Sequence, residues 1–144
     1  MKSVILLDTS GLLCYVYRDQ PGHEEAVQLL DSAGKSITHS YVLAELVALA
    51  QVRHYPRLAT LEFITDLLEN PDIETVWIDE PLHRAAVKLL MARQDKTYSL
   101  CDAVSFLLMS QFNIIEALTS HRHFEQEVFQ RLLVFLKGQS YFRG

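Results

Sequence analysis

Cysteine is scarce in this chain: Cys14 and Cys101 are the only two among 144 residues. They lie far apart and lack metal-type spacing, which argues against a disulfide-stapled scaffold and against a thiolate zinc site. Both are expected to be small, reduced core residues of a cytoplasmic protein. Positive charge is also in short supply. Against 18 Asp and Glu stand 13 Lys and Arg, a formal net charge of −5, so a general electrostatic grip on nucleic acid is not expected. A local acidic site that holds metal and acts on phosphates is compatible with that charge. No apolar run reaches the ~18 residues needed to span a bilayer. The N-terminus has one Lys, and Asp8 interrupts its apolar run before any small-residue cleavage site, so no signal peptide is expected. There is no Gly-rich phosphate loop, no G-x-S-x-G and no Cys–His zinc spacing.

What is present is the profile of one folded domain, 49% hydrophobic and 22% charged. Strand-like and helix-like segments alternate. Residues 3–7 read as a buried strand, 12–18 as a short helix broken at Pro21 and Gly22, and 23–33 as a second helix. A short strand at 36–38 precedes helices at 41–52 and 57–68, the latter stopped at Asn70 and Pro71. The alternation resumes with a strand at 73–78, a helix at 81–93, a loop at 95–98, a helix at 99–111 and a strand at 114–118. A helical turn at 121–126 leads to a last apolar run at 132–136. This pattern predicts an α/β domain over residues 1–137, with a mainly parallel central sheet flanked by helices. The tail, 138–144, is expected to be loose.

Three acids stand in apolar surroundings. Asp8 ends the run Val4, Ile5, Leu6, Leu7 and opens the turn Thr9, Ser10, Gly11. A carboxylate there sits where open parallel sheets collect ligands, although an Asp can equally cap the following helix. Glu45 lies within Val42, Leu43, Ala44, Leu46, Val47 and Ala48, a helix apolar on nearly all sides and therefore expected to be buried on nearly all sides. Neither Glu45 nor Asp102 has a cation three or four residues away. Asp102 follows Ser99 at the spacing of a helix cap, so a capping role stands beside a ligand role. Burying three ionised carboxylates without partners is severely unfavourable, and one hard cation such as Mg²⁺ or Mn²⁺ answers all three together.

With these acids in place, the chain resembles PIN-domain proteins of the VapC toxin type. The likeness is carried by Leu6, Leu7, Asp8, Thr9 and Ser10, by the stretch from Ile37 through Glu45 and Leu46, and by Tyr98 to Ala103. The stretch around Thr119, Ser120 and His121 resembles the fourth family motif. The resemblance implies a parallel-sheet fold with its acids at the C-terminal end of the sheet. It also implies Mg²⁺- or Mn²⁺-dependent cleavage of RNA, a homodimer, and inhibition by a cognate antitoxin. Asp8, Glu45 and Asp102 fall on family acidic positions, with Thr9, Ser10, Ser99 and Thr119 as supporting residues. The chain departs from the pattern at His121, where the family usually has an Asp. His121 could ligate the metal or contact phosphate.

Two functional readings follow. In the first, Asp8, Glu45 and Asp102 hold the cation of an endoribonuclease that leaves a 5′-phosphate and a 3′-hydroxyl. In the second, the domain is a PIN-like binding or regulatory module whose nuclease activity is weak or lost through His121. Phosphoryl transfer through a nucleophilic Asp8 fits less well, because Ser10 stands where the haloacid-dehalogenase pattern wants a second Asp. Arg18, Lys96 and Arg122 are the candidate RNA-contacting cations.

Overall fold

The computed structural model describes residues 4–134. The elements run β1 (Val4–Leu7), α1 (Thr9–Val16), α2 (His23–Ser32), β2 (Lys35–His39), α3 (Ser40–Val52), α4 (Arg57–Glu69), β3 (Ile73–Val76), α5 (Glu80–Met91), α6 (Leu100–Gln111), β4 (Glu116–Leu118), α7 (His123–Gln126) and β5 (Gln130–Arg131). All strands are parallel, in the order β3-β2-β1-β4-β5. The chain builds outward from β1 to β2 and β3, then returns to the other side of β1 for β4 and β5. The order therefore reverses between β1 and β4, and the crevice beyond their C-terminal ends is the ligand position of an open α/β sheet.

Alternation along β1 divides the core. Ile5 and Leu7 pack with Leu12, Leu13, Leu46 and Leu118 on the side covered by α1–α4, whereas Leu6 packs with Phe106, Met109 and Phe124 on the other. Burial of Ile5, Leu6 and Leu7 on both faces explains why β1 reads as an apolar run rather than an alternating one.

The structure corrects several expectations. Helix α1 begins at Thr9, not at residue 12, because the Asp8 carbonyl accepts the Leu12 N–H at 3.0 Å. Strand β3 stops at Val76, since Ile78 N–H turns to the Ser40 hydroxyl at 3.0 Å and Trp77 is exposed. The fifth strand, β5, has no apolar signature. It is fixed by backbone bonds from Gln130 N–H to Ile115 and from Leu132 N–H to Ala117. The end of the apolar run at 135–136, the domain limit at 137 and the tail at 138–144 lie outside the described residues.

Helix α3 is not buried all round. Val42, Leu43, Leu46 and Ala50 are buried, but Ala44, Ala48 and Val52 are exposed and Glu45 is half-buried. Ala48 and Val52 line an open groove instead of a core, which composition alone does not distinguish.

Candidate active site in the crevice between β1 and β4

Asp8 sits at the reversal point of the sheet and is only 1% exposed. Its N–H donates to Leu118 O at 3.2 Å, which ties the end of β1 to the end of β4. The next residue, Thr119, donates its hydroxyl proton to Asp8 Oδ2 at 2.7 Å. Thr119 Oγ1 also accepts the His121 N–H at 3.1 Å and lies 3.1 Å from Ser10 Oγ. A hydroxyl has one proton to give, and Thr119 spends it on Asp8, so Ser10 is the donor in the Ser10–Thr119 bond. Ser10 in turn accepts the Ser120 N–H at 3.0 Å. Ser10 and Thr119 thus hold the Asp8 carboxylate. Thr9 does not use its hydroxyl on Asp8; its backbone N–H supports that carboxylate instead.

Asp102 enters from α6. Ser99 and Asp102 form a reciprocal capping box: Ser99 Oγ accepts Asp102 N–H at 3.0 Å, and Asp102 Oδ2 accepts Ser99 N–H at 3.1 Å. The cap and ligand readings of Asp102 are compatible, because the cap uses Oδ2. That same oxygen accepts His123 Nδ1–H at 2.8 Å. The His123 ring rests edge-on against Tyr98, with centroids 5.3 Å apart, and its Nε2 lies 3.2 Å from Thr97 Oγ1. His121 Nδ1 stands 3.8 Å from Asp8 Oδ2, and the two His rings are 6.2 Å apart. Each Asp therefore faces one His of the His121–His123 pair. Among the described residues, every side-chain hydrogen bond to Asp8 and Asp102 falls on Oδ2, leaving Oδ1 of each without a side-chain partner.

Glu45 reaches the crevice from α3, whose first turn is fixed by His39. Val42 N–H donates to His39 Nδ1 at 3.4 Å, so the ring proton is on Nε2 and points to Ser105 Oγ at 2.8 Å. Ser105 lies one turn beyond Asp102 on α6. His39, fully buried, consequently pins the helix that carries Glu45 to the helix that carries Asp102.

Burial raises the Asp8 carboxyl to about 6; His121 and the Thr119 hydroxyl oppose the rise, Asp102 adds to it, and the Thr9 N–H opposes it. Burial alone lowers His39 to about 4, so it is neutral near pH 7. The Cys101 thiol is pushed far above its ordinary range by burial, then by Glu45, Asp8 and Asp102. All three sequence-predicted acids therefore act on one buried sulfur. Glu45, Asp102, His121, His123, Ser10 and Ser99 also line a single groove of ≈ 590 Å³.

As the side chains stand, no group of three His, Cys, Asp or Glu among the described residues is arranged to hold a metal ion. The donor chemistry nonetheless fits a hard divalent cation. Mg²⁺ is usually held by one or two carboxylates and keeps several waters, and the Oδ1 atoms of Asp8 and Asp102 are the oxygens left for it. A buried carboxyl raised to about 6 by desolvation is also a group whose charge a cation would stabilise.

Sequence reasoning did not single out His123, His39 or Arg53. His123 stands two residues from His121 in the sequence, but its partner Asp102 is 21 residues away. Of the proposed RNA-contacting cations, Lys96 pairs with Asp95 at 3.7 Å, and neither Arg18 nor Arg122 lines the groove. Arg53 does line it, two helical turns beyond Glu45.

The sequence matches the PIN domain over residues 5–127. No curated protein matches it. Among solved structures, the fold is similar to the crystal structure of Mycobacterium tuberculosis VapC20, a sarcin-ricin loop cleaving toxin. The TM-score is 0.80 at 22% identity, over 88% of this chain and 96% of that one.

Proposed function

This chain belongs to the PIN-domain family, and from that premise we propose that it is a divalent-metal-dependent endoribonuclease, the toxin of a toxin–antitoxin pair. The observation that carries the proposal is the position of Asp8 at the sheet's reversal point, with Asp102 and Glu45 lining the groove that its neighbours Ser10 and His121 also line. Asp8 and Asp102 offer Oδ1 to the metal, and Glu45 supplies the third carboxylate from the groove wall. When bound, Mg²⁺ or Mn²⁺ supplies charge neutralisation for the scissile phosphate and a lowered pKa for the attacking water. The protein's own residues do the rest of the positioning. Thr119 and Ser10 hold Asp8 in one rotamer, the Ser99 cap holds Asp102, and His39 fixes the spacing of α3 and α6.

The RNA substrate enters along the groove; the structural relative VapC20 is a sarcin-ricin loop cleaving toxin. The remaining parts of the reading are a homodimer, a cognate antitoxin and a cytoplasmic location. The last agrees with two free, buried cysteines. Among the described residues, no helix is long and apolar enough to cross a membrane.

The test is incubation of the purified protein with single-stranded and ribosomal RNA in Mg²⁺ or Mn²⁺, followed by mapping of the new ends. Cleavage to 5′-phosphate ends that disappears with EDTA, Asp8→Asn or Asp102→Asn supports the proposal. Cleavage that appears only in His121→Asp would identify a PIN module whose activity has been lost.

A further inference from the structure

Glu45 and Leu49 on α3 and Arg53, which caps its C-terminus, recur at four-residue spacing and so lie toward one face of the helix. Arg53 stands about 12 Å beyond Glu45 along the axis. All three line the same groove, whose ≈ 590 Å³ falls within the roughly 300–1,000 Å³ typical of ligand sites. The lining changes in chemistry along α3: Glu45 lies toward its N-terminal half, Leu49 follows one turn on, and Val52 and Arg53 stand at its C-terminal end, where Gln20 is bonded to Arg53. Among the described residues lining the groove, Arg53 is the one Lys or Arg.

Arg53 forms no salt bridge among the described residues. Its one side-chain hydrogen bond runs from Nη1 to Gln20 Oε1 at 3.2 Å. Gln20 Nε2 donates to the Tyr55 hydroxyl at 2.6 Å, and Tyr55 donates to Asp19 at 2.7 Å. This chain of bonds fixes which way the Gln20 amide faces. It leaves that amide one N–H and one lone pair to offer. The guanidinium likewise keeps most of its five donors. Its charge also opposes the rise that burial imposes on the Cys14 thiol in the groove wall.

An unpaired guanidinium, an apolar wall and an oriented amide edge match the three parts of a nucleotide: phosphate, base face and base edge. We infer that the groove at this end of α3 holds a nucleotide flanking the scissile phosphate of single-stranded RNA. Arg53 takes its phosphate, Leu49 and Val52 take the base face, and Gln20 reads the base edge. The inference rests on the ribonuclease reading and names how that site holds its substrate.

The test uses the full chain, a fluorescein-labelled single-stranded oligoribonucleotide of mixed sequence, and Arg53→Gln, Arg53→Lys and Gln20→Ala. Arg53 is exposed, so its variants should melt like the wild type. Steady-state cleavage in Mn²⁺ gives KM and kcat; anisotropy in the Asp8→Asn background gives Kd without cleavage. Arg53→Gln should raise KM and Kd about tenfold with kcat unchanged, and reduce the slope of log Kd against log salt by about 0.7. Arg53→Lys should recover part of the loss, and Gln20→Ala should change the base preference beside the cut. A wild type that cleaves, with Arg53→Gln unchanged in KM, Kd and salt slope, overturns the subsite and leaves the ribonuclease reading intact. A wild type that binds RNA through Arg53 and cleaves nothing supports the subsite and overturns the ribonuclease reading. An Arg53→Gln variant that loses affinity only for a poly-glutamate peptide, and not for RNA, overturns the inference in favour of an acidic protein ligand.

Discussion

Thr119 and Asp8, 111 residues apart in the chain, are joined by a 2.7 Å hydrogen bond in which the hydroxyl donates to the carboxylate. That bond favours the ionised form of a carboxyl that burial drives towards neutrality. Thr119→Val keeps the shape and removes the donor. It also strips Ser10 and the His121 N–H of their acceptor. Hydrogen bonds to charged groups are worth roughly 1.5–3 kcal/mol, so RNA cleavage should fall about ten- to a hundredfold. The pH of half-maximal activity should move upward as Asp8 becomes harder to ionise. Thr119→Ser should retain activity. A Thr119→Val enzyme with an unaltered pH–rate profile would show that Thr119 does not tune Asp8.

Gly11 is the second point on which the site's geometry turns. A Cβ at this position would lie 2.0 Å from Leu118 O and 2.6 Å from its carbonyl carbon. That carbonyl is already engaged by Asp8 N–H, so it cannot swing away without releasing the end of β1. In an ordinary helix interior, Gly→Ala would stabilise by about 1 kcal/mol. Here the clash outweighs propensity, and Gly11→Ala should destabilise by about 3 kcal/mol or more while displacing Asp8 from Thr119. Thermal unfolding followed by circular dichroism decides the sign; a raised Tm would contradict the close approach of α1 to β4.

How much of this was legible beforehand follows from the range of each interaction. Asp8 and the Ser99–Asp102 cap are local signals, written within four residues of sequence, and the alternation of elements is written in periodicity. The parallel sheet follows from that alternation. Contacts across the fold left no such trace. Asp102 meets His123 only because α7 folds back over α6, and Ser105 meets His39 only because β2 delivers α3 beside α6. Glu45 was read as buried because its neighbours are apolar, yet Ala48 and Val52 line a groove that only tertiary packing creates. Strand β5 was missed because its two polar residues are held through backbone bonds to β4 and not by burial of apolar side chains.

Asp8→Asn should separate function from stability. The substitution removes the cost of burying the Asp8 charge and ends its repulsion with Asp102. Cleavage should be abolished, while the metal-free protein melts at a higher temperature than the wild type at pH 7. The wild type should gain stability on adding Mn²⁺, because an ion that binds only the folded state stabilises it by mass action. Asp8→Asn should gain much less. Differential scanning fluorimetry with and without Mn²⁺ measures both effects, and an equal metal response in the two proteins would remove Asp8 from the metal site.

Asp8 and His39 should oppose each other in the pH dependence of stability. The Asp8 carboxyl is raised from 3.8 to about 6 in the folded protein. Between those values the folded chain holds more protons than the unfolded one, so this group makes stability fall as pH rises from about 4 to about 6. His39 is lowered from 6.5 to about 4, so there the unfolded chain holds more protons and stability rises with pH over nearly the same window. Each effect is worth up to about 3 kcal/mol, and in the wild type they should largely cancel. Asp8→Asn should expose the His39 slope, with Tm climbing by about 10 °C from pH 4 to 6.5 relative to the wild type. His39→Asn keeps a side chain able to cap α3 but does not titrate, and should show the reverse slope beneath a constant loss from the broken Ser105 bond. Subtracting the wild-type melting curve at each pH cancels the contributions of the other titrating groups. Parallel curves for all three proteins would mean that neither buried group titrates as its surroundings require.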